Sequence, residues 1–106
     1  MPCIDCHTHA FPDTLAPRAI GTLAQKAGSS FSDGTIRGLL ASMDRAGIDQ
    51  ALICSIATKP AQFDHIMAWS QSVRSARLIP LPSVHPKDPH MISRRQCRYR
   101  NDAEEW

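Results

Sequence analysis

The run Gln50-Ala51-Leu52-Ile53-Cys54-Ser55-Ile56 most constrains what this chain can fold into. It is apolar without alternation, the pattern expected of a strand covered on both faces, as in a parallel sheet flanked by helices. Parallel strands need long crossovers, normally helical, and both flanks supply them. Upstream, Ile36, Leu39, Leu40 and Met43 fall at i, i+3, i+4 and i+7, one helical stripe, with Gly47 placed to end the helix. Ser32 or Asp33 is suited to cap its start. Downstream, a helix is expected from about Ala61 to Ser75, beginning beside Pro60 and repeating the stripe with Phe63, Ile66, Met67 and Val73. Leu78-Ile79-Pro80-Leu81-Pro82-Ser83-Val84 follows as a strand whose two prolines favour an edge or a strand end.

The N-terminal part adds a strand over roughly Cys3 to His7. A loop opens at Pro12 and Asp13, and a helix is expected from about Leu15 to Ala27, with Pro17 in its first turn and Gly28 as its stop. Residues 28–34 carry loop chemistry. The order strand, helices, strand, helix, strand predicts an α/β fold built as a parallel βαβαβ segment with right-handed crossovers. After Pro89 neither period continues, so the chain divides into a folded part, 1–89, and an off-pattern basic tail, 90–106, expected to be disordered.

At 106 residues, 42% hydrophobic and 21% charged, the chain fits one small globular domain. A formal charge of +2 is too mild to argue for nucleic acid. Arg94, Arg95, Arg98 and Arg100 are nearly balanced by Asp102, Glu104 and Glu105, so the tail is expected to be solvated and not to bind nucleic acid. The apolar start is broken at once by Asp5, His7 and His9, so no signal peptide is expected, and no apolar run approaches the ~20 residues of a membrane span. The cytosol is the expected compartment. Cys3, Cys6, Cys54 and Cys97 are then expected as reduced thiols, with Cys54 as a small buried hydrophobe.

Chemistry concentrates in Ile4-Asp5-Cys6-His7-Thr8-His9. On an extended strand Asp5, His7 and His9 share one face, and Ile4, Cys6 and Thr8 the other. Two imidazoles so aimed are half of a site for zinc or a similar metal. The plainer alternative is two polar residues at a strand-to-loop junction. Cys3-Ile4-Asp5-Cys6-His7 also has the spacing of a c-type haem attachment site, but haem attachment calls for an export signal. A closed zinc knuckle needs a second pair of ligands at the right spacing, which is missing, and a thioredoxin-like redox pair has the Cys-x-x-Cys spacing alone. His85, in Ser83-Val84-His85-Pro86 at the end of the third strand, either faces a substrate or the metal at the same edge or is a turn histidine held by Pro86. His65, beside Ile66 and Met67, is expected to face solvent.

These residues together resemble the amidohydrolase-related superfamily, in its branch of metal-dependent hydrolases and decarboxylases. Asp5-Cys6-His7-Thr8-His9 is similar to that family's first-strand Asp-x-His-x-His pattern. The segments Ser42-Met43-Asp44-Arg45-Ala46-Gly47-Ile48-Asp49 and Leu81-Pro82-Ser83-Val84-His85-Pro86 reinforce the likeness, which covers about Pro2 to Pro89. The resemblance implies a (β/α)8 TIM barrel with one or two divalent metals, often zinc, at the strand C-termini. There a metal-activated water attacks a small-molecule substrate, or the metal polarises a carboxylate for decarboxylation. It further implies that His7 and His9 are the first two metal ligands and that Asp5 orients them. Such a barrel takes about 250 residues and eight strands, and a catalytic zinc needs about three protein ligands. This chain is therefore expected to be the N-terminal portion of an incomplete barrel, cut short near residue 90 by a frameshift or premature stop. Alone it is expected to bind metal weakly or not at all, to lack activity, and to self-associate through open sheet edges. The alternative class is a non-catalytic α/β binding or interaction module.

Overall fold

The computed structural model describes residues 1–28 and 32–94. Three strands, β1 (Ile4–Thr8), β2 (Gln50–Cys54) and β3 (Leu78–Leu81), form one sheet in the order β1-β2-β3, with both pairings parallel. Helices α1 (Ala16–Ala27) and α2 (Ile36–Ala46) connect β1 to β2. A 3-10 turn (Pro60–Gln62) and α3 (Phe63–Val73) connect β2 to β3. The chain is thus the small parallel α/β unit its periodicities predict. No helix among the described residues is long and apolar enough to cross a membrane.

Local chemistry explains the element ends. Gly28 takes a left-handed conformation (φ 81°) and donates its N–H to Ala24 O, closing α1. Gly47 (φ 67°) does the same for α2, and the Ile48 N–H reaches Met43 O at 2.9 Å. The cap of α2 is neither Ser32 nor Asp33 but Thr35, whose Oγ1 accepts from the Gly38 N–H at 3.0 Å. Asp33 supports it from two residues upstream, its Oδ1 accepting from Thr35 N at 2.9 Å and from Thr35 Oγ1 at 2.8 Å. These bonds to Thr35, the backbone one foremost, hold the Asp33 carboxyl below the usual carboxylate range. The helix expected from Ala61 is shorter: Gln62 Oε1 accepts from Thr58 N, Thr58 Oγ1 and Lys59 N, which winds the first turn tightly, and Arg74 (ψ 132°) leaves the helix.

Strand β2 corrects one expectation. Instead of being covered on both faces it alternates, with Ala51 and Ile53 fully buried and Leu52 and Cys54 half-buried. Successive crossovers of the same hand between neighbouring strands carry their helices to one side of the sheet, so only one face is roofed. Under it lie Ala51, Ile53, Leu78, Met43 and Ala10, with Ile36, Leu39, Leu40, Ile48 and Trp69 packed against them. Burying a side chain such as Ile53 contributes about 1.5–3 kcal/mol. The opposite face carries the paired residues Leu52 and Ile79, and Cys54 and Leu81, all half-buried, beside Ile4, which is 48% exposed.

At the N-terminal edge of the sheet Arg77 binds three groups at once. It donates to Asp49 O, Asp44 Oδ1 and Ile48 O, tying the α2–β2 turn to the start of β3. Beyond β3, residues 91–94 form a helical turn. Arg94 docks it on α3, with Nε 3.3 Å from the buried Asp88 carboxylate, NH1 3.3 Å from Asp64 Oδ1, and its guanidinium 4.5 Å from the centre of the Phe63 ring. The rest of the expected tail, 95–106, and the middle of the expected loop, 29–31, lie outside the described residues.

Candidate functional site

Because the strands are parallel, the residues that follow β1, β2 and β3 meet at one edge of the sheet. Strand β1 reaches that edge through a bulge: Asp5 pairs with Ala51 and Thr8 with Ile53, three steps along β1 against two along β2. The His7 N–H inside the bulge donates to Asp5 Oδ1 at 3.1 Å. Paired residues of neighbouring strands share a face, so Asp5 and Thr8 both lie on the helix side with Ala51 and Ile53. The alternation that would place Asp5 with the histidines does not hold. Thr8 is buried and donates its hydroxyl to Leu52 O at 2.8 Å, which closes the strand end onto β2.

The two imidazoles converge nevertheless. His7 Nε2 and His9 Nε2 stand 3.2 Å apart, with ring centres separated by 4.9 Å and planes at 74°. His9 lies one residue past the strand, and its orientation comes from β2: Nδ1 is 2.8 Å from Cys54 O. A carbonyl only accepts, so Nδ1 carries a proton, and in the neutral ring Nε2 then presents its lone pair, the tautomer of a histidine that ligates through Nε2. The 3.2 Å separation suits an N–H···N bond donated by His7. It also suits chelation, since two ligands at 2.0–2.1 Å on a tetrahedral ion stand about 3.3 Å apart. His7 is exposed and His9 half-buried, which leaves the pair open to solvent.

The donor set described stops at two, His7 and His9. Among the described residues no cluster of three or more histidine, cysteine or acidic side chains is placed to hold a metal ion. Asp5 spends an oxygen on the His7 backbone and not on an imidazole. His85 is half-buried in the turn after β3, where Nδ1 accepts from the Lys87 N–H at 3.1 Å and its carbonyl accepts from the Asp88 N–H at 2.9 Å. His65 is exposed on α3, as expected. Cys3, Cys6 and Cys54 are free thiols, and Cys97 lies outside the described residues.

Two features of this edge have no sequence signal of their own. Cys54 contributes its carbonyl, which any residue there would supply. Ser83 Oγ accepts from the Ala57 N–H at 2.8 Å and lies 3.3 Å from Ser55 Oγ, which donates to Leu81 O at 2.9 Å. These serines stitch the loop after β2 to the loop after β3. The chain matches no protein-family model, no curated protein and no solved structure.

Proposed function

We propose that the strand ends around His7 and His9 are the metal-binding beginning of a metal-dependent hydrolase or decarboxylase of the amidohydrolase type, and that β1 to β3 are the opening segment of its (β/α)8 barrel. One observation carries this reading: two Nε2 atoms 3.2 Å apart, one with its Nδ1 proton committed to Cys54 O. The sequential strand order and the half-exposed sheet face opposite the helices support it, because in a barrel that face is the interior. His7 and His9 would hold the ion, His9 in a fixed tautomer and His7 as the exposed and more adjustable partner. The chemistry a divalent metal supplies is polarisation of a substrate carbonyl or carboxylate and acidification of a water to a pKa of about 7. Two imidazoles fall short of a catalytic zinc site, so further ligands beyond those found among the described residues would be needed for turnover.

The shortage of ligands among the described residues also favours a second reading, a small binding module without catalysis. Replacing His7 and His9 together by Ala separates them. Loss of zinc uptake in equilibrium dialysis, with an unchanged circular dichroism spectrum, supports the metal centre; unchanged uptake refutes it. The larger reading is tested by translating the adjoining DNA in every frame, where further β/α units with histidines at strand ends are expected and their absence would overturn it.

A further inference from the structure

We infer that His7 and His9 form one half of a four-imidazole zinc site whose other half is the same pair from a second copy of this chain. The inference rests on the metal-binding part of the reading above and is independent of the hydrolase assignment. Its first ground is donor count. Zinc in a closed site takes four nitrogen or sulfur ligands, and the chain brings two Nε2 atoms to 3.2 Å with no third donor among the described residues. A two-fold axis through the ion doubles any pair without asking for a new surface, since an isologous contact uses the same residues twice.

The second ground is rigidity and access. His9 is anchored through Nδ1 to Cys54 O, so half of each chelate is oriented before an ion arrives. His7 is exposed, and it sits on β1, which pairs with β2 alone and has an open outer edge among the described residues. Ile4 and Cys6, exposed on the same strand, offer apolar surface for the second copy to cover. Four neutral imidazoles suit a borderline cation such as zinc better than calcium or magnesium, which prefer oxygen ligands.

The test is zinc titration of the metal-free chain, with bound zinc measured by elemental analysis and mass by light scattering after gel filtration. The expected result is one zinc per two chains, a doubling of mass on zinc addition, and return to the single-chain mass with EDTA. Magnesium should cause no change. His7→Ala, at an exposed position, should abolish the zinc-dependent doubling while keeping the circular dichroism spectrum. Should that variant unfold, cobalt(II) bound to the unmodified chain provides an independent readout: intense visible absorption of a tetrahedral ion supports the shared site, and the weak bands of an octahedral ion refute it. One zinc per chain without a mass increase overturns the shared site and leaves the metal reading standing. No zinc uptake overturns both. A doubled mass that survives EDTA or His7→Ala places the association elsewhere and also overturns the inference.

Discussion

Arg77→Ala tests whether the two edges of the sheet have separate jobs. The Arg77 guanidinium donates from NH1 to Asp44 Oδ1 at 2.7 Å, from NH2 to Ile48 O at 2.9 Å and from Nε to Asp49 O at 3.2 Å. The carboxylate pair is solvated, with side-chain exposures of 39% for Arg77 and 65% for Asp44, so its share is about 0.5 kcal/mol. The two carbonyl bonds have a charged donor but regain water when it leaves, which puts each at about 0.5–1 kcal/mol, below the usual range for charged donors. Arg77→Ala should therefore cost about 2 kcal/mol. For a domain of this size that lowers Tm by about 8–16 °C. Urea unfolding followed by circular dichroism measures it. Arg77→Lys should recover only about a quarter of the loss, because an ammonium cannot span three acceptors held by a planar fork. Asp44→Ala should cost about 0.5 kcal/mol. Zinc uptake should stay unchanged in all three variants, since Arg77 precedes β3 while the imidazole pair stands at the C-terminal end of β1, at the opposite edge. A loss below about 0.5 kcal/mol in Arg77→Ala, or full recovery by Arg77→Lys, would refute the clamp; altered zinc uptake in a folded variant would refute the separation of the edges.

Two further predictions concern the start of α2. Thr35→Ala removes the oxygen that accepts the Gly38 N–H and should destabilise the chain by about 1 kcal/mol in the same unfolding assay. Asp33→Asn should lower Tm at neutral pH, and the gap to the unmodified chain should close in acid. The Asp33 carboxyl is depressed in the fold by its bonds to Thr35, so its contribution is complete above the ordinary carboxylate pKa of about 4 and fades as pH falls through the lower folded value. A gap that is constant down to pH 2 would show that the charge is irrelevant.

The helix limits were legible where a residue type has one dominant use. Gly28 and Gly47 stop their helices in left-handed conformations, and Pro17 sits in a first turn, because few other placements suit them. The cap of α2 was misplaced because Ser32, Asp33 and Thr35 share the same cap chemistry, and only the backbone conformation of Thr35 (φ −88°, ψ 159°) decides among them. The continuous apolar run in β2 predicted burial on both faces, yet apolar composition reports what a face tolerates and not what covers it. At the site, two histidines at i and i+2 were visible. The bulge was not, since it arises from the register between Asp5 and Ala51 and between Thr8 and Ile53, residues more than 40 positions apart.

The bulge also changes what aims the histidines. Strict pleating would make β1 alone responsible for their geometry, and any sequence with His-x-His at a strand end would then do as well. Here His9 lies past the strand and takes its orientation from Cys54 O on β2. Cys54 is followed by Ser55, which donates to Leu81 O, and Ala57 donates its N–H to Ser83 Oγ in the loop after β3. Thr8, between the two histidines, adds its own bond to Leu52 O. The imidazoles thus stand at the end of a series of contacts running across all three strands. Their 3.2 Å approach is a property of the assembled sheet, and the tripeptide only supplies the rings.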